Sequence, residues 1–444
     1  MIKSKKRIKI KIPIGIHRRV MEDLRRPHPF AHERVGFLFS KQVELEDCLI
    51  IFITEYHPVA DKNYVRDSSV GAMINSTAIR EAMQTVLDKS CGCFHVHLHA
   101  HTGVPSPSGV DRESLPNVVE SFSNIDSSLA HGILILSRDS VYASIKTNRQ
   151  KRFVNPELIS IVGYPMNFVL GTSDKKKPDK IFDRQSFLGK KSQSIFANIK
   201  VGIVGYGGGG SHIGQQLAHL GVERITVFDE DKVEDTNLNR LIGAWYRDIK
   251  AATLKTKIAQ RVIKKILPKA KLICVNKRWQ NQAELLQECD IVFGCLDSYS
   301  ERQQLEAECR RFLIPYIDIG MDVHKADSRP PYMSGQVILS LPGMPCMSCM
   351  GFLTDTKLAE EGAKYGAVGG RPQVVWANGM LASTAVGVFV DLVTGWTGQR
   401  DKIVYLSYDG NLGLVNNDIR GELVSAACEH YLVESSGAVK FTKL

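Results

Sequence analysis

The amino-acid sequence predicts an α/β protein of two units, an α+β unit followed by a doubly wound parallel sheet, and three observations carry that reading. Before about residue 160 the apolar runs are short and scattered, at Cys48–Ile53, Cys93–Leu98 and Gly132–Leu136, with one helix-like stretch at Thr77–Leu87. After residue 200 strand and helix patterns alternate, the mark of a parallel sheet with helices on both faces. Between them Thr172–Lys180 is polar and broken by Pro178, as a linker is. The expected division is residues 1–160, a linker over 161–180 and a second domain over 181–444, since 444 residues are too many for one ordinary core.

In chain order, Ile8 to Ile12 alternates apolar and basic residues with period two and reads as an edge strand; it lacks the long apolar core of a signal peptide. In the second domain the expected series is strand Lys200–Val204, helix Ser211–Leu220, strand Arg224–Phe228 and helix Thr253–Ile266. Strand Leu272–Asn276, helix Gln282–Gln287 and strand Ile291–Gly294 continue it. Val374 to Val390 imitates a membrane span but carries Asn378, Ser383 and Thr384 and stops at Asp391, so a buried helix is expected there and no membrane partner.

With 43% hydrophobic and 23% charged residues the composition is that of a soluble globular chain. A net charge of +10 invites a nucleic-acid reading, yet the basic clusters, Lys3 to Lys11, Lys175 to Lys177 and Lys255 to Lys265, have no interleaved aromatics for base stacking. No nucleic acid is therefore expected, while an acidic macromolecular partner fits the charge. Ten cysteines without a secretory signal point to a reducing cytoplasmic setting in which they are buried, catalytic or metal-bound.

His97-Leu98-His99-Ala100-His101 followed by Ser108-x-x-Asp111 is a plan for catalytic zinc. Two imidazoles and a carboxylate leave a fourth tetrahedral position open for water, whose pKa the metal lowers to roughly 7. In an extended strand His95, His97, His99 and His101 share one face, so either His97/His99 or His99/His101 is the metal pair. His99/His101 is preferred here because Thr102-Gly103 then follows where the chain leaves the strand. Glu33, just before the strand-like Val35 to Phe39, sits where a general base would come from. These residues resemble the JAB/JAMM metalloprotease family over about residues 8–150. The resemblance implies a cytidine-deaminase-like α+β fold and cleavage of peptide or isopeptide bonds beside a ubiquitin-like domain. It also implies that Ser108 orients the water or oxyanion and that Glu33 shuttles the proton.

A second site begins where Val201 to Val204 runs into Gly205-Tyr206-Gly207-Gly208-Gly209-Gly210. Such glycines permit a tight turn and let backbone N–H groups approach phosphate at the positive end of a helix. Asp229 closes the next strand, and Asn239, Arg240, Lys257 and Asp297 follow. A nicotinamide oxidoreductase has no use for an Arg, a Lys and a second Asp around the phosphates. An enzyme that directs a carboxylate onto the α-phosphate of ATP needs all three. The pattern resembles the ThiF/MoeB/HesA superfamily of ubiquitin-activating-type enzymes, with their Rossmann-like fold, over about residues 181–410.

Carried over by residue, the resemblance implies that Gly205, Gly207, Gly208 and Gly210 cradle phosphates and that Asp229 takes the ribose. Asn239, Arg240 and Lys257 clamp the triphosphate, and Asp297 holds Mg2+. Arg184 matches an arginine that family members reach across a dimer to the partner's ATP, implying a homodimer. The partner implied is a ubiquitin-like or sulfur-carrier protein, with a place for a conjugating enzyme downstream.

Two features depart from that family's pattern. Cys346 and Cys349 match only half of its structural zinc site, and Cys428-Glu429-His430 would complete a Cys3His set if the last hairpin returns there. Gly351–Pro372, where thioester-forming relatives carry a cysteine, contains none. Either adenylation is the whole activity, or Cys346 or Cys349 is the nucleophile and zinc is not bound there. The expected protein is a JAMM zinc protease fused to an adenylating enzyme using ATP, Mg2+ and Zn2+. Such fusions resemble bacterial ubiquitin-like modification systems, some tied to antiviral defence. Sulfur-carrier activation and a zinc-free N-terminal docking module are the alternatives.

Overall fold

The apolar runs of the sequence become the strands of two separate eight-stranded sheets, each in its own unit, in a computed structural model. The structure describes residues 6–27, 32–67, 71–147, 152–171, 179–326, 329–363, 372–424, 428 and 430–432.

In the first unit β1 (Arg7–Pro13) leads into α1 (Ile14–Leu24), then β2 (Val35–Glu44), β3 (Cys48–Pro58) and the two-residue strands β4 (Tyr64–Val65) and β5 (Met73–Ile74). α2 (Ser76–Lys89), β6 (Gly92–Leu98), α3 (Gly109–Ile125), β7 (His131–Leu136), β8 (Val141–Lys146), β9 (Leu158–Val162) and β10 (Asn167–Leu170) follow. The sheet order is β10-β9-β1-β3-β2-β6-β7-β8. Alternate residues of β2 and β6 serve two cores. Leu38, Phe94 and Val96 join Ile16, Val20, Met21 and Leu24 of α1 on one face. Phe37, Phe39 and Cys93 join Ala78, Ala82 and Val86 of α2 and Phe122 of α3 on the other. Helix α2 starts where the Asn75 side chain accepts the N–H groups of Thr77 and Ala78, the usual way an asparagine satisfies orphan donors.

Strand β1 is not an edge. It pairs in parallel with both β3 and β9, and Lys9 and Lys11 are 2% exposed. Their period-two alternation suggested a solvent face, but β9 supplies a neighbour that lies too far along the chain for local pattern to reveal. Strand β10 occupies part of the stretch expected as linker, and residues 172–178 of that stretch lie outside the described residues.

In the second unit α4 (Ser192–Asn198) precedes β11 (Lys200–Val204), α5 (Gly208–Leu220), β12 (Arg224–Phe228), α6 (Tyr246–Lys250), α7 (Lys255–Ile266) and β13 (Lys271–Val275). Then come α8 (Ala283–Gln287), β14 (Ile291–Gly294), α9 (Tyr299–Arg311), β15 (Tyr316–Ala326) and β16 (Arg329–Ser340). α10 (Asp355–Ala363), α11 (Val375–Thr394), β17 (Val404–Asp409), β18 (Leu414–Asn417) and α12 (Ile419–Glu422) complete the unit. The order β13-β12-β11-β14-β15-β16-β17-β18 is parallel through β15 and antiparallel from there on. Strands run outward from β11 in both directions, so the crevice at the carboxyl ends of β11 and β14 is a topological switch point, where open α/β sheets take ligands. Helix α11 is long and apolar enough to cross a membrane by length and composition, and its inner face, with Leu381, Ala385 and Phe389, packs on α5 and β15.

Candidate functional site

A cavity of about 280 Å³ opens at the switch point of the second unit, floored by the glycine turn and walled by the ends of β12 and β14. Gly205 turns the chain at φ +87°, and a side chain there would meet the Cys295 carbonyl oxygen at 2.5 Å. Helix α5 therefore begins at Gly208 with its amino end against the cavity, which favours anions. Gly205, Gly207 and Gly208 line the cavity, as does Gly209. Gly210 does not; a Cβ there would lie 2.0 Å from the Gly205 carbonyl oxygen, so its role is close packing of helix on turn.

Asp229 sits at the end of β12 and accepts the Tyr206 N–H at 2.6 Å and the Asp231 N–H at 2.9 Å. Burial raises its pKa against the opposing pull of Lys255 and these two amides. Arg240 lines the cavity and donates to Asn239 Oδ1 at 3.1 Å and to the Thr236 carbonyl. Asp297 lines it from the end of β14 and accepts from Gln373 Nε2 at 3.2 Å.

Two expected clamp residues are corrected by geometry. Lys257 lies on the exposed side of α7 and donates to Gln260 at 3.4 Å, whereas Lys255 lines the cavity and pairs with Asp231 at 2.7 Å. Asn239 does not line the cavity either; it accepts from Arg240 and donates to the Gln373 carbonyl at 3.2 Å, so it braces the arginine from behind. Asn237 is the asparagine in the wall, 8% exposed, and it accepts the Glu234 N–H at 3.1 Å. The doubled motifs Asn-x-Asn and Lys-x-Lys were the signal that a choice existed. Arg184 is exposed on the 3-10 turn Lys180–Leu188 and does not reach its own chain's cavity.

In the first unit the antiparallel register Val35↔His97 sets the chain before β2 opposite the end of β6, which brings Glu33 to the histidines. Glu33, His97 and His99 offer ligand atoms within 4.8 Å of one another. His97 Nε2 and His99 Nε2 are 3.2 Å apart, and they lie 3.5 and 3.7 Å from the two oxygens of Asp111. Donors at metal bonds of 2.0–2.2 Å stand roughly 3.3–3.6 Å apart along tetrahedral edges, so these three fit a zinc ion. The preferred pair His99/His101 is thereby replaced by His97/His99. Strand β6 ends at Leu98, the alternation stops, and the exposed His101 turns to the Thr102 carbonyl.

Asp111 is held in place by Ser108, the N-cap of α3: Ser108 Oγ accepts the Asp111 N–H at 3.1 Å and the Ser108 N–H donates to Asp111 Oδ2 at 2.7 Å. Burial pushes the Asp111 carboxyl up, but His97 and Ser108 outweigh it and hold it well below the carboxylate range. Burial, then the charge of His97, lowers His99, which favours the neutral imidazole a metal needs. Gly71 places Glu33: its carbonyl accepts the N–H groups of His32 and Glu33 at 2.9 and 2.8 Å, and a Cβ on it would meet Glu33 Oε2 at 2.7 Å.

Cys346, Cys349, Cys428 and His430 form a third cluster within the second unit. Cys346 Sγ is 3.5 Å from both Cys349 Sγ and His430 Nδ1, and Cys349 Sγ is 3.3 Å from His430 Nδ1 and 3.8 Å from Cys428 Sγ. A tetrahedron with zinc–sulfur bonds of 2.3 Å has edges of roughly 3.6–3.8 Å, close to this set. Residues 351–372 contain no cysteine, and the thiol among the lining residues of the glycine-floored cavity is that of Cys295.

A family model described as the ThiF family matches residues 182–420, more than half of the chain. The molybdopterin-synthase adenylyltransferase of Haemophilus influenzae is 32% identical over 120 residues, 27% of this chain and 49% of that protein. The ubiquitin-like modifier-activating enzyme 5 of Dictyostelium discoideum is 27% identical over 168 residues, 34% of this chain and 42% of that protein. The chain thus spans about half the length of these curated relatives. Among solved structures, Escherichia coli MccB with succinimide aligns at a TM-score of 0.44 and 19% identity, over 54% of this chain and 72% of that one.

Proposed function

The chain belongs to the ThiF family, and from that premise we propose that it is an ATP-dependent adenylating enzyme acting on the C-terminal carboxylate of a ubiquitin-like or sulfur-carrier protein. The observation that carries this reading is the convergence of Arg240, Lys255, Asp229 and Asp297 on one glycine-floored cavity at the sheet's switch point. A carboxylate oxygen of the carrier attacks the α-phosphorus, the bond to pyrophosphate breaks, and an acyl-adenylate forms. Backbone N–H groups at the start of α5 hold phosphate oxygens, and Arg240 and Lys255 offset the charge that collects on pyrophosphate. Asp297, released from Gln373, is the carboxylate suited to Mg2+. The test is ATP–pyrophosphate exchange with candidate carriers: exchange that depends on the carrier's C-terminal glycine supports the reading, and no exchange with any carrier alongside tight ATP binding counts against it.

The first unit is read as a JAMM-type zinc peptidase for the same carrier. His97, His99 and Asp111 would hold a zinc ion, which would supply a Lewis acid there. Glu33, placed by Gly71, takes the proton from the attacking water and passes it to the leaving amine. Cys346, Cys349, Cys428 and His430 would hold a second zinc as a structural site, since they offer it four protein ligands. With these cysteines given to metal, and with burial pushing up the thiol of Cys295 in the cavity wall, adenylation without an internal thioester is the reading the second unit supports. The second reading of the same cavity is the sulfur-carrier version, the relatives being named molybdopterin-synthase adenylyltransferase and ubiquitin-like modifier-activating enzyme 5 alike. Thiocarboxylate on the carrier rather than carrier–protein conjugates would single it out.

A further inference from the structure

Two buried side chains of α9 hold the Cys346–Cys349 turn in shape from below. Arg310, 3% exposed, donates Nε to Ser340 Oγ at 2.8 Å, Nη1 to the Met344 carbonyl at 2.7 Å and Nη2 to the Pro345 carbonyl at 2.7 Å. Glu306, fully buried one helical turn earlier, accepts the Met347 N–H at 2.8 Å and the Ser340 hydroxyl. The turn then closes on itself: the Met350 N–H donates to the Cys346 carbonyl at 2.9 Å, the Gly351 N–H to the Ser348 carbonyl at 3.0 Å, and the Cys349 N–H to Cys346 Sγ at 3.4 Å. Cys346 and Cys349 are thus aimed by bonds that involve neither of the other two ligands.

Cys428 and His430 are placed differently. Among the described residues no hydrogen bond between backbone groups ties Cys428, His430 or Tyr431 to the rest of the unit. They meet it through the thiol and imidazole contacts of the cluster and through the Tyr431 ring, 5.7 Å from the Arg310 guanidinium. Breaking the hydrogen bonds of a buried charged side chain is costly, so Glu306 and Arg310 hold the groups they bond firmly in place. Here every bond the pair makes in this region goes to one turn or to Ser340 beside it.

We propose that the metal at this site is a clasp on a half-site built in advance. Glu306 and Arg310 pre-form the Cys346/Cys349 half, and metal coordination by Cys428 and His430 fastens these two residues and Tyr431 to it. The proposal rests on the reading of this cluster as a zinc site. Glu306 and Arg310 are positioning residues: they act on affinity through the turn.

The experiment is hydrogen exchange by mass spectrometry on the full chain, with and without a chelator, with zinc counted by elemental analysis. Chelation is expected to speed exchange in peptides containing Cys428 to Leu432 while those covering residues 341–353 keep their protection. Exchange that rises equally in 341–353 and α9 means the metal organises the turn, and overturns the clasp. Glu306→Ala should weaken zinc retention about 10–100-fold against a competing chelator, the usual cost of losing an outer-shell partner. Glu306→Gln, which keeps the acceptor oxygen, should restore most of it. Equal loss in both variants counts against the positioning role. A Cys428→Ser chain holding as much zinc as wild type would instead overturn the metal site itself, and the clasp with it.

Discussion

Lys255 Nζ stands 2.7 Å from Asp231 Oδ2 at the wall of the glycine-floored cavity, so the lysine that lines this cavity is tethered by an acid that is itself 63% exposed. A partner so open to water gives up little when the lysine turns to a phosphate. Lys255→Ala should therefore lower pyrophosphate exchange by about 100-fold or more, as loss of a transition-state charge partner does. Lys257→Ala, on the exposed side of α7, should stay within about twofold. Equal losses from both would put the clamp back on Lys257.

Zinc content separates the histidines of the first unit. His97→Ala and His99→Ala should each strip the zinc of this unit, because His97 Nε2 and His99 Nε2 face each other at 3.2 Å with Asp111 beside both. His101→Ala, whose ring turns to the Thr102 carbonyl, should keep it. Loss of zinc in the His101 variant and retention in the His97 variant would restore the pairing that local sequence favoured.

Glu33→Gln should slow cleavage by about 10²–10⁴-fold with zinc still bound, since it removes a proton shuttle and no ligand. Gly71→Ala is the companion. Its methyl group would press on Glu33 Oε2 from 2.7 Å, so it should lower activity with zinc retained while leaving pyrophosphate exchange in the other unit intact. Full cleavage activity in Glu33→Gln would remove the glutamate from the mechanism.

Local pattern located β11, β12 and β14 on the residues the structure uses, because each is a short apolar run buried on both faces and bounded by turn or charge. It could not choose between Lys255 and Lys257. Those two positions lie about 200° apart around a helix, and which one faces the cavity is settled by Ile258, Ala259 and Ile263 packing inward, a tertiary fact. Similarly, the preference for His101 came from extending a period-two pattern past Leu98, where β6 ends. The buried lysines of β1 were unreadable for the opposite reason, since the strand that covers them, β9, begins at Leu158.

Acid should weaken the first unit through His17. Burial first, then Arg25 and Arg18, lowers its pKa from 6.5 to about 4 in the folded chain. The unfolded chain thus takes up a proton that the folded one refuses over that window. Stability falls as pH drops from about 6.5 to about 4, by about 2 kcal/mol at pH 5 from this group alone. His17→Gln, which cannot be protonated, should show a shallower loss of denaturant midpoint between pH 7 and pH 5. An unchanged slope would mean other groups carry the acid response.

Arg184 offers the test of assembly. It is exposed on the turn Lys180–Leu188 and does not line its own chain's cavity. On the same turn Phe187 is 68% exposed and packs ring to ring with Trp396, 53% exposed, at 5.7 Å between centroids. Two large aromatics side by side in solvent suit a surface that a second copy covers. If Arg184 then completes the partner's site, Arg184→Ala chains and Asp297→Ala chains fail for different reasons. In a mixed dimer one of the two sites combines an intact Asp297 with an arginine donated by the other chain. Mixing the two inactive proteins should accordingly recover part of the pyrophosphate exchange, at most about half of the wild-type rate per dimer because only one of two sites is whole. Phe187→Ser should prevent the recovery, and light scattering should find a dimer in the unaltered chain and a monomer in this variant. Dimers that exchange subunits freely and recover nothing would show that the arginine is not donated.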